Sequence, residues 1–132
     1  MLATVRQGGS FSDTLTAWSA ERLMGPWTPH PQGPLLVDIA SARPGGRVVK
    51  RDGRLLRPVQ DNRTGYGASM LLTEITRLDD AGFEQRVLAD LGPSPQWPGR
   101  RLHTLNRAGR LEVVDGSAMS PKFRRPRQQG PT

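Results

Sequence analysis

Short apolar-containing runs, separated by turn-forming residues, divide most of the chain into paired segments. The clearest turn is Asp52-Gly53, because an Asp-Gly pair between two such runs is typical of a tight β-hairpin. Residues 79–82 and the Ala108-Gly109 pair separate two further pairs of runs. The paired runs are residues 47–51 with 54–60, 68–78 with 83–91, and 102–107 with 110–115. Three successive hairpins predict an antiparallel meander.

The N-terminal third is less clear than the hairpins. Residues 1–5 have a strand pattern, residues 6–10 a Gly-containing turn, and residues 14–19 the pattern of the partner strand. However, residues 12–23 also fit a capped helix, and residues 70–78 show helical spacing of apolar side chains. Periodicity alone leaves both alternatives open.

Glycine and proline content supports an all-β fold. The 132 residues include 15 glycines and 12 prolines, which indicate many turns. Prolines in residues 93–101 predict a loop that carries Trp97. Residues 121–132 are basic and contain proline, so we expect a disordered tail after a single domain over residues 1–120.

The net charge of +7 raises the question of nucleic-acid binding. Four of the seven net charges come from the tail, which leaves three for the rest of the chain. Only Lys50 and Lys122 are lysines among the 19 basic residues, a bias that is typical of a GC-rich coding sequence. Of the functions considered for this chain, nucleic-acid binding through the tail is therefore the least favoured.

The chain has no cysteine, which excludes disulfides, thiol nucleophiles and cysteine metal sites. It also has no continuous apolar run of about 18 residues that could span a bilayer, and its N-terminus lacks the apolar core of a signal peptide. No Gly-rich phosphate loop follows a strand. We therefore expect a cytoplasmic protein with no membrane segment, no metal and no cofactor.

The segment from Gly25 to Gly67 is dense in side chains that suit sugar recognition. Aromatic faces pack on sugar rings, while carboxylate, amide and guanidinium groups bond to hydroxyls. The side chains in question are Trp27, His30, Asp38, Arg43, Gln60, Asp61 and Tyr66.

The ordered motifs of the chain resemble a five-bladed β-propeller family related to family 43 glycoside hydrolases. Within it, they are most similar to the domain named for the N-terminal part of glucosamine inositolphosphorylceramide transferase. The motifs are ATVRQGGSFSDTLTAWSA at 3–20, GPWTPHP at 25–31, SARPGGRVVKRDGRLLRPVQD at 41–61, YG at 66–67 and LHTLNRAGRLEVVDG at 102–116. The resemblance implies a partial propeller, its C-terminal half, with about two to three meander blades.

A partial propeller would leave strand edges and an apolar face open, so the expected partners are the missing propeller half or a second copy of the chain. The resemblance places His103 on a last-blade strand that faces the propeller axis. The predicted substrate-binding residues are therefore Arg43, Gln60, Asp61, Tyr66 and His103. The predicted function is recognition of a carbohydrate or glycoconjugate within a larger protein.

Several roles stay open at this level. Asp61 is predicted equally to face the pocket or to cap its turn, and Arg43 either to bind a sugar carboxylate or phosphate or to pair with Asp38 or Asp61. Trp27 and Trp97 fit packing better than sugar stacking.

The alternative function is a glycosidase or glycosyl-transfer component that is active only with the missing blades. Hydrolysis would need two facing carboxyl groups. The candidates are Asp38, Asp61, Glu74 and Glu84. In the related hydrolases the catalytic acids come largely from earlier blades, so the catalytic residues of this chain stay unknown.

Overall fold

The computed structural model describes residues 2–3, 10–95 and 99–118, and within these it contains ten strands and no helix. The strands are β1 Leu2–Ala3, β2 Thr14–Ser19, β3 Thr28–Pro29, β4 Leu36–Val37, β5 Val49–Arg51, β6 Arg54–Asp61, β7 Ser69–Asp79, β8 Gly82–Leu91, β9 Arg101–Ala108 and β10 Leu111–Ser117. All paired strands are antiparallel. The all-β prediction is confirmed. In the described ranges no helix is long and apolar enough to cross a membrane.

Three separate sheets form the described part of the chain. Strands β1 to β4 assemble around β2, strands β5 to β8 pair in sequence order, and β9 pairs only with β10. The three predicted hairpins are confirmed, but the meander covers only the first two of them, because β9 and β10 form a sheet of their own. The described residues show neither a closed barrel nor a propeller, so the finer architecture stays a prediction.

The first hairpin turn has the backbone that its sequence requires. Asp52 has φ 50° and Gly53 has φ 77°, and two successive positive φ values define the tight turn that suits twisted strands. Neither of the two regions that also fitted a helix is helical, and each contains a strand. Residues 14–19 pair with three other strands, and the strand over 69–79 pairs with β6 and β8 along its length, so cross-strand bonding decides what periodicity left open.

An irregular segment, residues 39–45, lies along β6 and extends the central sheet. The amide of Gly45 donates to the carbonyl of Pro58 (2.9 Å), and the amide of Gln60 donates to the carbonyl of Arg43 (2.9 Å). With this segment on one edge and β7 on the other, residues 57–61 are all buried. The core side chains Leu15, Ala42, Val59 and Met70 are fully buried around it.

Arg57 is the largest fully buried side chain, and it ties the segment to the sheet. Its guanidinium donates to the carbonyls of Ser41 and Ala42 and to the amide oxygen of Gln85. Burial lowers the pKa of Arg57 to about 10, so the group remains charged at neutral pH. Arg57 therefore holds the segment in place through backbone acceptors.

The β9–β10 hairpin docks against the same segment through glycine. The amide of Leu105 donates to the carbonyl of Gly45 (2.9 Å). A Cβ on Gly46 would lie 1.9 Å from the carbonyl oxygen of Leu105, so only glycine allows this approach. The contact brings β9 beside residues 43–46.

Candidate functional site

Four polar side chains meet where β9 approaches the central sheet, and we call them the Tyr66 cluster: Arg43, Tyr66, His103 and Asp115. The Nε2 atom of His103 lies 2.8 Å from the Tyr66 hydroxyl, and its Nδ1 atom lies 3.3 Å from Oδ2 of Asp115. Arg43 donates from Nη2 to the Tyr66 hydroxyl at 3.2 Å. The cluster is a continuous hydrogen-bonded chain from a carboxylate to a guanidinium.

A β-bulge aims His103 into this chain. Asp115 pairs with Thr104 and Gly116 pairs with Leu102, so His103 is an extra residue in β9. Bulges of this kind redirect a side chain and are common beside functional sites. The ring centroids of His103 and Tyr66 are 5.1 Å apart with a tilt of 56°.

Gly67 leaves the room that the His103 ring occupies. Its φ is +62°, and a Cβ there would lie 2.7 Å from Cδ2 of His103. The amide of Gly67 donates to Oδ1 of Asn62 at 2.7 Å, which fixes the turn after β6. Glycine is therefore required at this position both for its backbone conformation and for its small size.

The hydrogen-bond order assigns the proton on His103. Partial burial would raise the pKa of Asp115, but hydrogen bonds from Thr104 and the nearby His103 outweigh it and lower that pKa. The ionised Asp115 accepts from Nδ1–H of His103, so in the neutral imidazole Nε2 is the acceptor for the Tyr66 hydroxyl. The phenol oxygen in turn accepts from Arg43.

Arg43 is a half-buried cation that forms no ion pair among the described residues. Its Nη1 donates to the carbonyl of Phe11 at 2.5 Å, and its Cζ lies 5.0 Å from the centroid of the Tyr66 ring. The predicted pairing with Asp38 or Asp61 is not formed. Asp38 instead accepts from the hydroxyl of Ser41 at 2.5 Å.

Gln60 is buried next to the Tyr66 cluster and contacts the backbone of His103. It is 2% exposed, and its Nε2 donates to the carbonyl of His103 at 3.1 Å, which holds the bulge against β6. Its Oε1 is buried and has no hydrogen-bond partner among the described residues. Gln60 is therefore positioned beside the cluster and contacts its backbone.

Asp61 is engaged elsewhere. Successive strand residues point to opposite faces, so the side chains of Gln60 and Asp61 point to different sides of β6. The Asp61 carboxylate accepts from Nε and Nη2 of Arg63, at 3.0 Å and 2.6 Å, and from the Arg63 amide at 3.1 Å. The Arg63 side chain lowers the pKa of Asp61. Of the two predicted arrangements of Asp61, the structure contains the turn cap. The structure brings Arg43, Tyr66 and His103 together by hydrogen bonds. Gln60 contacts the His103 backbone, and Asp61 contacts Arg63 instead of this group.

The other candidate carboxylates are also engaged in structural contacts. Glu74 binds Arg54 and Arg86 at 2.8 Å and 2.7 Å, and hydrogen bonds from these two side chains lower the pKa of Glu74 to about 2. A carboxyl group with that pKa is ionised at neutral pH and is unsuited to donate a proton. Glu84 lies 3.6 Å from Arg77. In the described ranges, no three His, Asp or Glu residues are grouped to hold a metal ion.

Sequence reasoning missed Asp115, Gly67 and Arg101, which donates to the carbonyl of Tyr66. The signal for Asp115 was available, because the turn after Ala108 places the end of β10 opposite the start of β9. No signal connects Tyr66 with His103, which are 37 residues apart and belong to different parts of the fold. Trp97 lies outside the described residues.

Comparison with known proteins gives one family and two relatives. The family described as "Glucosamine inositolphosphorylceramide transferase 1, N-terminal" matches residues 3–117. Glucosamine inositolphosphorylceramide transferase 1 of Oryza sativa subsp. japonica is 31% identical over 124 residues, covering 84% of this chain and 16% of the relative. The protein of the same name from Oryza sativa subsp. indica is 32% identical over 106 residues, covering 70% and 14%. The chain thus spans about a sixth of the length of these relatives. No solved structure matches it.

Proposed function

The chain belongs to the glucosamine inositolphosphorylceramide transferase 1 N-terminal family, and from that premise we propose that it recognises an anionic glycoconjugate at the Tyr66 cluster. The family supports a glycan-related role, since the rice relatives are named glucosamine inositolphosphorylceramide transferase 1. Recognition of the glycan by this chain, within a larger protein, is our proposal.

The observation that carries the proposal is the cation Arg43 beside an exposed phenol. Tyr66 is 51% exposed, and Arg43 has no carboxylate within ion-pair distance among the described residues. A guanidinium that is already oriented by Phe11 and Tyr66 keeps further donors for a phosphate or carboxylate. The ligand would therefore supply the negative charge that no carboxylate of the described residues places beside Arg43.

The same cluster supplies contacts for the sugar part of such a ligand. The exposed ring of Tyr66 offers an apolar face to a sugar ring, and Asp115, whose side chain is 54% exposed, offers carboxylate oxygens to hydroxyls. His103 would keep the Tyr66 hydroxyl fixed while the ligand binds. This arrangement favours binding over hydrolysis, because the carboxylates predicted as catalytic candidates are occupied elsewhere.

We also propose that the three sheets are parts of a five-bladed propeller of the family 43 type. Support comes from the sequence-ordered β5–β8 sheet and from the two-stranded β9–β10 sheet, whose outer strand is exposed along its length. An isolated two-stranded sheet is marginally stable, so a neighbouring strand would stabilise it. The proposed partner is an upstream propeller half of a larger protein or a second copy of the chain.

Titration of the folded chain with small probes tests the proposed site. The probes are myo-inositol 1-phosphate, glucuronic acid, myo-inositol and methyl glucoside, followed by calorimetry and by amide chemical shifts. We expect the two anionic probes to bind roughly tenfold more tightly than the two neutral ones, and this preference to weaken as salt is added. Chemical shifts at residues 66–67 and 103 would locate the site.

Arg43→Ala should abolish the preference for anions, whereas Tyr66→Phe should keep ring contacts and weaken binding less. The matched control is Arg110→Ala, because Arg110 is an exposed arginine whose side chain has no ion pair among the described residues. If Arg43→Ala and Arg110→Ala bind all four probes alike, the proposal is wrong. Absence of binding by any probe to the folded chain would also reject it.

A further inference from the structure

A groove runs along β5, and we call it the β5 groove. It is lined by residues 47–51 and, at the tip of the β9–β10 hairpin, by Arg107 and Gly109. Strand β5 is an edge of the β5–β8 sheet, so its outer side has no strand partner in the part of the chain that the structure describes. The β5 groove shares no lining residue with the Tyr66 cluster.

An apolar cavity of about 100 Å³ adjoins the groove. Alternate strand residues share a face, and Val49 pairs with Leu56 while Pro58 pairs with Leu72, so these four side chains form one wall. Leu105, from the other sheet, also lines the cavity. An apolar cavity of about 150 Å³ holds the six carbons of benzene, so this one suits the four carbons of a leucine side chain.

Positive charge surrounds the groove and the mouth of the cavity. The cations are Arg47, Lys50, Arg51 and Arg107. Arg51 lies 3.7 Å from Asp52, and Arg107 lies 3.5 Å from Glu112. Arg47 and Lys50 are exposed and form no ion pair among the described residues. These two side chains can therefore pair with carboxylates of a ligand.

Hydrogen bonds hold the two sides of the groove together. The amide of Arg47 donates to Oδ1 of Asn106 at 3.1 Å, and the amide of Leu105 donates to the carbonyl of Gly45 at 2.9 Å. At the hairpin tip, Nε of Arg107 donates to the carbonyl of Gly109 at 3.0 Å. The cavity and its cations are thus arranged before any ligand binds.

We propose that the β5 groove binds an extended acidic segment of a partner protein, which places one apolar side chain in the cavity. An exposed strand edge accepts an added strand through main-chain hydrogen bonds, and alternate side chains of that strand then enter pockets. Carboxylates on either side of the apolar residue would face the cations, and such complementarity favours the correct partner.

The distribution of the cations favours a peptide over a small organic acid. Four cations along β5 and the hairpin tip are too many for a single carboxylate to contact. The lining also favours a peptide over a nucleic acid, because single-stranded bases stack on aromatic side chains and none of the residues that line the groove or the cavity is aromatic. The proposal does not depend on the Tyr66 cluster.

Titration of the folded chain with synthetic peptides, followed in ¹H–¹⁵N spectra, tests the proposal. The probe is a capped pentapeptide with a central leucine between two pairs of glutamates. Two matched peptides replace the leucine by alanine or the glutamates by glutamines. We expect the probe to bind about five- to tenfold more tightly than either matched peptide, with shifts at residues 47–51 and 105–107.

Two variants separate the contributions of charge and cavity. Arg47→Ala should weaken binding of the probe about fivefold, whereas Arg22→Ala, at an exposed arginine between β2 and β3, should leave it unchanged. Val49→Phe should fill the cavity and remove the preference for leucine over alanine. Val87→Phe is its control, because Val87 is an exposed valine of β8.

Four results would overturn the proposal. The leucine and alanine peptides bind alike, or Arg47→Ala and Arg22→Ala bind the probe alike. An oligothymidylate shifts the same residues at a lower concentration than the probe, which would assign the groove to a nucleic acid. Arg43→Ala abolishes the shifts, which would place the probe at the Tyr66 cluster. Shifts that persist in Arg43→Ala support the separate groove even if the anion preference proposed for the Tyr66 cluster is not found.

Discussion

Two arginine-containing groups on the same fold differ in how their charge is balanced. In the first, which we call the Glu74 cluster, the carboxylate of Glu74 binds Arg54 and Arg86 on adjacent strands β6, β7 and β8. In the Tyr66 cluster, Arg43 contacts a carbonyl, a phenol and an aromatic face. Arg54 and Arg86 are paired with a carboxylate within the sheet, whereas Arg43 has no ion pair in the part of the chain that the structure describes.

The difference follows from where each arginine lies. Residues of neighbouring strands meet at fixed register, and Glu74 pairs directly with Arg86 and with Leu56, two positions after Arg54. Arg43 lies in the irregular segment 39–45, where no partner strand places a carboxylate opposite it. Regular strand pairing thus places Glu74 next to two arginines, whereas the irregular backbone around Arg43 places no carboxylate next to it among the described residues.

The largest effect is expected at Gly46, where β9 docks beside the segment that carries Arg43. In Gly46→Ala the new Cβ would meet the Leu105 carbonyl oxygen at 1.9 Å, which forces β9 away from residues 43–46. We expect a loss of about 2–3 kcal/mol in the free energy of unfolding. Denaturant unfolding measures the loss, and hydrogen exchange should show faster exchange in β9 and β10 than in β6 and β7.

Gly92→Ala is the control, because its Cβ would make only an ordinary contact of 3.5 Å with Asp90. It should change stability by less than about 0.5 kcal/mol. Equal stability of the two variants would contradict the close contact between Gly46 and Leu105.

A smaller effect is expected from Gly67→Ala, which disturbs the Tyr66 cluster alone. The positive φ of +62° and the 2.7 Å approach to His103 predict a loss of about 1–2 kcal/mol and displacement of the imidazole. Binding of myo-inositol 1-phosphate should weaken along with it. Unfolding curves and calorimetry measure the two effects.

Gly109→Ala provides a control with the same backbone requirement. Its φ is +59°, and nothing lies within 4 Å of the added Cβ. We expect similar backbone strain with unchanged probe binding. Loss of binding in both variants would mean that general destabilisation, and not the position of His103, explains the result.

The sequence predicted those parts of the fold that depend on neighbouring residues. The Asp52-Gly53 turn was predictable because its two residues themselves favour the required positive φ values. Residues 70–78 were ambiguous because their strand conformation depends on pairing with β6 and β8, which periodicity does not report. Local chemistry therefore fixed the turns, and distant pairing fixed the strand.

The same distinction holds for the site. The turn cap of Asp61 is a local arrangement with Arg63, and it was one of two predicted outcomes. The contact between Tyr66 and His103 joins residues 37 apart, and it needs the bulge in β9 and the small Gly67. Residue types indicated candidates for binding, but their meeting depends on packing between sheets.

The smallest effect is expected from the Glu74 cluster, because Arg54 and Arg86 reach solvent and screening weakens their attraction. Glu74 has a pKa of about 2 in the folded chain, below its ordinary value, so the unfolded chain takes up its proton first as the pH falls. The stabilisation by Glu74 is therefore complete above the ordinary glutamate pKa and is lost as the pH falls towards about 2.

Glu74→Gln should accordingly lower the melting temperature at pH 7, and the gap to the unchanged chain should close between the ordinary glutamate pKa and pH 2. Thermal unfolding at a series of pH values measures it. Glu84→Gln is the control, since its exposed carboxylate lies 3.6 Å from Arg77 and should show little effect at any pH. A gap for Glu74→Gln that stays constant down to pH 2 would show that its shape, and not its charge, supports the sheet. The contrast with Arg43 would then be one of packing, because the charge balance of the Glu74 cluster would have no measurable effect on stability.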